Sequence, residues 1–470
     1  MGHVMNLRQT FRRILAVALL GALCALQSSA AVPLTHDARA EARADESPGA
    51  PRPASQGAGE REAAPATALH AAGLIPSPEL GWPQWRGKYR DGISDEKGLL
   101  QSWPEGGPKL LWKATGLGKG WSSPIIVGDT LYITGDVGED LVIFALDLGG
   151  KPKWQAKNGL AWAHQWPGAR AACAYSEGRL YHMSAHGRAA CLEAATGKEL
   201  WAVNVLEAFE GKNITWAIAE CLLVDGPRVI VTPGGRKAMM AALDKTTGKA
   251  AWASEPIPGD KASYGSPILF EYGGRRHLVN FSSRHGFGAD ADTGKLQWTV
   301  ECVNPYEVNI CTPIYSGGHV LLVAPDGPDA MLLRLDVQGD KTQATQAWTN
   351  DLDTCNGGGI LVDGLVYGAG YRSFRGWRCL DFKSGQTKYE MRDLDSGSAI
   401  WADGRLYALA ESGAMALLKP AAGGFETCGR FDLVPPTPRK HDVWPHPVLL
   451  DGRLYLRYHD TLWCYDVRAK

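Results

Sequence analysis

One short unit recurs through most of this chain and limits what it can fold into more than any other feature. LEAATGKELW (192–201) has near copies at LDLGGKPKW (146–154), LDKTTGKAAW (243–252), ADADTGKLQW (289–298) and LDFKSGQTKY (380–389). Each reads as the end of an apolar strand, a tight turn in which Gly supplies positive φ, and a new strand opened by an aromatic. Upstream lie apolar hairpins such as SPIIVGDTLYIT (123–134), CAYSEGRLYHMS (173–184) and CLLVDGPRVIVT (221–232). Further copies are TPIYSGGHVLLV (312–323), GILVDGLVYGAG (359–370), AIWADGRLYALA (399–410), PVLLDGRLYLRY (447–458) and the looser SPILFEYGGRRHLVNF (266–281). Eight hairpins, each followed by a third and a fourth strand, imply eight units of four antiparallel strands. The aromatic slots are Trp112, Trp154, Trp201, Trp252, Trp298, Trp348, Tyr389 and Phe431, spaced 41 to 51 residues apart. That is the period of a β-propeller blade.

Closure follows from counting strands. The eighth unit ends at LWCYDVRAK (462–470) without an aromatic outer strand, while PKLLWKAT (108–115) precedes the first unit unpaired. Residues 108–115 therefore complete blade eight. The ring closes by this N-terminal strand and leaves no bare edge. The fold class is all-β, an eight-bladed β-propeller over residues 81–470. The 56 Gly and the 17 Trp against 10 Phe suit short strands, tight turns and large rings wedged between blades.

The unit resembles the pyrroloquinoline quinone-type (quinoprotein-like) repeat, Ala-x-Asp-x-x-Thr-Gly-Lys-x-x-Trp, over about residues 108–470. That family implies two branches. One is the quinoprotein alcohol dehydrogenases, with calcium and quinone over the central funnel. The other comprises cofactor-free propellers, among them the lipoprotein of the outer-membrane barrel-assembly machinery. WPQWRGKYRDGISDEKGLL (82–100) with WPEGGPKLLWK (103–113) is also similar to a group of exported bacterial propellers.

The N-terminus reads as an export signal over residues 1–30. Arg8, Arg12 and Arg13 precede the apolar run ILAVALLGALCAL (14–26), and small residues follow, with cleavage expected near Ala30. Cys24 raises a lipoprotein alternative, against which Leu23 stands where a small residue is needed. Residues 31–80, rich in Ala and Pro and poor in aromatics, are expected to be a disordered linker. Without the three Arg of residues 1–30, 46 basic residues face 50 acidic ones, a net charge of −4. That balance favours no nucleic-acid partner. No later segment is apolar enough to span a membrane, and a periplasmic or secreted monomer is expected.

The chemistry of the dehydrogenase branch is not written in the cysteines. The chain has no adjacent Cys-Cys pair and no Cys-x-x-Cys-His haem motif. Cys191, Cys379 and Cys464 occupy the slot held by Ala145 and Ala242 in other blades, which marks a small buried core site. Cys173 and Cys221 are the best candidates for a disulfide. KHDVWPHP (440–447) could hold a metal through His441, Asp442 and His446, or be a loop whose histidines bond backbone. No phosphate-cradling loop and no G-x-S-x-G element are present.

One positional argument points to a site. Loops joining the outer strand of one blade to the inner strand of the next converge on one mouth of the channel. They bring together Trp121, Arg170, Trp216, Glu220, Tyr264, Asn309, Asn356 and His446, a set fit for a polar ligand or for a water-filled channel. The function expected is a binding or scaffolding module without catalysis or cofactor, for a protein or carbohydrate partner in the cell envelope. The alternatives are a quinone-dependent alcohol dehydrogenase using pyrroloquinoline quinone with calcium, and a hydrolase or lyase at the channel mouth.

Overall fold

Alternation and burial set the shape of each blade. In blade one, Thr130–Val137 and Asp140–Asp147 are almost wholly buried, whereas the outer strand Pro152–Leu160 is exposed or half-buried at every position except Asn158. Middle strands covered on both faces become continuous apolar runs, and a rim strand keeps one face in water. The innermost strands are the shortest, three residues in Ile125–Val127 and in Ala174–Ser176. The computed structural model describes residues 69–327, 329–435 and 442–470. The export signal, the linker up to residue 68, and His441 lie outside the described residues.

Eight sheets form, seven with four consecutive strands in sequence order from the inside outward, and the eighth with three that an N-terminal strand completes, so that the ring closes as the strand count requires. Lys109–Ala114 pairs antiparallel with Thr461–Asp466, with Trp112 opposite Cys464. Blade seven carries a fifth strand, Ile93–Ser94, parallel to its inner strand Gly397–Ala402.

The recurrent Trp and the recurrent glycine are two halves of one contact across five of the blade boundaries. The ring of Trp154 in blade one lies on Gly197, the turn glycine of blade two, and donates Nε1–H to Ala194 O at 3.1 Å. Trp112 does the same with Gly150 and Leu148 O, Trp201 with Gly248 and Lys245 O, and Trp348 with Gly385 and Phe382 O. Gly197 sits at φ 75°, and a Cβ added there would come within 2.5 Å of the Trp154 ring. Conformation and space both demand glycine.

Blade seven departs from the expected pattern. The position equivalent to the recurrent Trp is Gly429, paired with Leu417 beside the strand's bulge, and not Phe431, which pairs with Met415. Trp103, from the segment before the closing strand, fills the vacated space. A Cβ on Gly429 would lie 2.5 Å from Trp103, whose ring packs 5.9 Å from Tyr407, as Trp154 packs 5.9 Å from Tyr132. A remote segment thus supplies the large apolar ring that blade seven lacks.

Cys191, Cys379 and Cys464 are fully buried free thiols, each opposite the aromatic of its outer strand. Cys173 and Cys221 are free as well, and Cys221 Sγ accepts from Ala172 N.

The segment before the closing strand crosses the channel on the side that carries the first hairpin turns. Trp82 bridges Ile126 of blade one, and Pro83 O accepts from Tyr175 N of blade two. Arg90 donates to Cys221 O, Leu222 O and Pro267 O of blades three and four at 2.8, 3.1 and 2.7 Å. Trp85 Nε1 donates to Thr312 Oγ1 of blade five, and its ring lies 4.5 Å from His446 of blade eight. Arg86 donates to Gly357 O and Gly359 O of blade six, and Ile93 pairs with Trp401 of blade seven. One stretch of chain therefore touches all eight blades and plugs the base of the channel. Both arginines have φ near +60° and are 3% exposed. Residues 69–80, which the sequence assigned to the linker, pack against the ring. Leu74 bridges Phe270, Ile75 N donates to Leu269 O, and His70 is hydrogen-bonded to Asp91 and Asp95.

Candidate functional site

With its base plugged, the channel is a cup open on the face where outer strands hand over to the next blade. Its volume is about 460 Å³, within the range of small-ligand sites. Five of the eight expected residues line it: Trp121, Arg170, Trp216, Tyr264 and Asn356. They come from five successive or near-successive interblade loops, as the topology requires.

The other three expected residues do not line the cup. Glu220 is buried and accepts from Thr232 N at 2.8 Å and Thr232 Oγ1 at 2.6 Å. Burial pushes its carboxyl up to about 7, opposed by those hydrogen bonds and by the Arg90 charge. Asn309 is fully buried and braces its loop by donating to Ser282 O, Ser283 O and Cys302 O. His446 is buried against Trp85, and burial together with the Arg86 charge holds its imidazole well below the usual range. These three were expected at the mouth because their loops are there. Their side chains instead serve the wall behind it.

The structure adds residues that the interblade argument did not reach. Asp326, Tyr371 and Arg372 come from loops joining second and third strands, which strand parity places on the same face. Tyr306, Trp166 and Trp444 come from interblade loops already considered. Of KHDVWPHP, Trp444 lines the cup and His446 lies behind it. Asp442 accepts from Trp121 Nε1 at 3.2 Å and pairs with His459 at 3.1 Å, which holds its carboxyl below the usual range despite burial. That acid–base pair stands behind the Trp121 and Trp444 wall and does not line the cup.

The walls are rings set at angles. Trp444 lies 5.1 Å from Trp121 at 34° and 5.1 Å from Trp166 at 55°, and Trp216 lies 6.2 Å from Tyr264 at 43°. Trp166 has φ 55° and is 51% exposed, and Tyr306 is 49% exposed. Arg170 stacks over Trp121 and Trp162 at 5.2 and 5.6 Å, and donates to Trp166 O at 2.6 Å. Burial pulls its guanidinium down to about 10. Arg372 stacks over Tyr306 and Tyr371 and is ion-paired with Asp326.

A cation-held quinone needs convergent carboxylate and amide donors. Among the described residues no three His, Cys, Asp or Glu side chains converge to hold a metal ion. Glu220 is committed to Thr232, and Glu411 to Asn356 at 2.7 Å. Both of those carboxylates already hold internal partners.

Comparison with known proteins places the chain. Residues 139–389, more than half of its 470, match the family described as outer membrane protein assembly factor BamB, and the chain belongs to that family. The outer membrane protein assembly factor BamB of Yersinia pestis is 24% identical over 286 residues, covering 57% of this chain and 66% of that protein. The lanthanide-dependent methanol dehydrogenase of Methylacidiphilum fumariolicum (strain SolV) is 30% identical over 163 residues, 31% of this chain and 25% of that protein. The chain thus spans a quarter of the one and just under two thirds of the other. Among solved structures, the quinohemoprotein alcohol dehydrogenase of Comamonas testosteroni superposes with a TM-score of 0.57 at 14% identity. That match covers 84% of this chain and 82% of that one, a likeness of fold. No helix among the described residues is long and apolar enough to cross a membrane.

Proposed function

We propose that this member of the family is an exported binding module of the cell envelope, which holds a partner at its aromatic cup and performs no chemistry of its own. The observation that carries the reading is the contrast in commitments at the cup. Glu220, Asp326, Glu411 and Asp442 near it are tied to internal partners and His446 is buried behind it, while Trp166, Tyr306 and Arg372 stand free of the core on its rim. Rigid aromatics and arginines on a rim supply binding energy. They do not supply the proton transfer that a dehydrogenase or a hydrolase needs. The Trp85–Arg90 stretch beneath the cup supports the absence of a quinone, because it occupies the base of the channel with the chain's own side chains.

Titration of the purified chain with pyrroloquinoline quinone and Ca²⁺, followed by absorbance and by dye reduction with primary alcohols, is expected to show neither saturable binding nor turnover. Alcohol-dependent turnover overturns the reading in favour of the dehydrogenase-like alternative. A photo-crosslinking amino acid at Trp166, used in the intact cell envelope, is expected to give a discrete adduct that the same group at Leu80 on the plug side does not. Equal capture at both positions counts against a mouth-directed module.

A further inference from the structure

The cup's own geometry narrows the chemistry of what it holds. Arg372 is ion-paired with Asp326, whereas among the described residues no carboxylate lies within ion-pair distance of Arg170; Asp136, which acts on it from farther off, also faces Arg457. The Arg170 guanidinium is held face-on by two indoles and edge-on by two backbone carbonyls, so its position is set before any ligand arrives. A stacked, partly desolvated arginine with no carboxylate in contact favours an anionic group, and a carboxylate matches its planar donors.

The wall rings already touch one another, at centroid distances of 5.1, 5.1 and 6.2 Å, and leave no slot between them in which a flat ring could be sandwiched. Tilted faces around a cone instead suit a puckered ring, with an apolar C–H face for an indole and hydroxyls at its edge. The Asp326–Arg372 pair and the tyrosines Tyr306 and Tyr371 place donors and acceptors around that edge. Trp166, half exposed on strained backbone, extends the stacking surface outward from the rim.

The plug decides how a polymer can enter. Because Trp85 and Arg86 close the channel below Asn356 and Gly357, nothing threads through, and only a chain end or a short branch can occupy the cup.

Resting on the binding reading above, we infer that the cup takes the end of a saccharide carrying a hexuronic acid. Its ring lies against Trp166 and Trp444, and its carboxylate meets Arg170. No bond is made or broken.

The test uses the purified full chain, intrinsic tryptophan fluorescence and calorimetry. The probes are trigalacturonic acid, a hyaluronan tetrasaccharide, and the methyl-esterified galacturonate trimer, which keeps the rings and removes the charge. At least one acidic probe is expected to bind saturably below about 1 mM, and the ester at least about tenfold more weakly. Arg170→Gln is expected to remove that tenfold preference, and Arg170→Lys to restore part of it. Trp166→Ala, at an exposed position that does not threaten the fold, is expected to weaken both by about tenfold. The inference is overturned if neither acidic probe saturates at about 10 mM. It also falls if the ester binds as well as the acid, or if Arg170→Gln changes nothing. If the saccharides fail while the Trp166 crosslinker still captures a discrete protein, the binding reading stands and the saccharide class falls. Quinone turnover would overturn both.

Discussion

The two ends of the channel use the same residue types to opposite effect. At the base, Arg86 and Arg90 are buried, and their donors end on backbone carbonyls of blades three, four and six. Trp82 is 3% exposed. At the mouth, Arg170 and Arg372 lie on aromatic faces, and Trp166 and Tyr306 stand half in solvent. Where every donor has an internal acceptor and every ring an internal neighbour, the residues hold the fold together. Where hydrogen-bonding capacity and apolar surface are left over, they can meet a partner. The residue type does not separate a structural arginine from a binding one; its remaining capacity does.

The largest effect expected is at the base. Arg90→Met removes donors from three buried carbonyls and from Gln84, and an unsatisfied buried polar group costs about 1–3 kcal/mol. Denaturant unfolding is expected to show a loss of about 3–5 kcal/mol. A loss below about 1 kcal/mol would mean that the plug is not anchored there, and the contrast between the two ends would break.

Glu220, buried behind the cup, tests the level between the ends. Its folded pKa, about 7, lies above the ordinary carboxyl value of 4.5, so the folded state holds the proton more tightly than the unfolded chain. The contribution of Glu220 to stability is then largest below about pH 4.5, falls as pH rises towards 7, and is lost above. The change is on the order of 3 kcal/mol. Glu220→Gln is expected to remove that slope. If the slope persists in the variant, another group carries it.

The smallest effect is expected at the rim. Trp166→Gly relieves a positive φ at an exposed residue, so stability should stay level or rise by up to about 1 kcal/mol, while ligand capture falls. A loss of more than about 2 kcal/mol would make Trp166 a structural residue like Trp82.

Much of the ring was legible because its signal is local and repeated. A glycine that must have positive φ, an indole at a set distance after it and a hairpin before it recur so often that blade number and closing strand follow by counting. Blade seven shows where counting stops. Phe431 stands near the expected spacing, but a bulge puts Gly429 in the slot, and nothing near it in sequence announces that Trp103 fills the space.

The site was legible as an address and not as a composition. Strand parity brings the interblade loops to one mouth and also brings Asp326, Tyr371 and Arg372 there, though their hairpin loops carry no motif. Whether a loop side chain turns into the cup or into the wall is a matter of packing. Glu220 and Asn309 turn away because buried hydrogen-bond partners are within reach of them, and His446 because its ring packs on Trp85. The plug is the extreme case. WPQWRGKYRDG has no strand period, and its role depends on carbonyls up to 273 residues away that converge only when the ring has closed. Repetition along the chain prescribed the blades, because turn conformation and strand burial are short-range. The occupant of the axis, and the chemistry left free at its open end, came from contacts among distant residues that only the closed ring brings together.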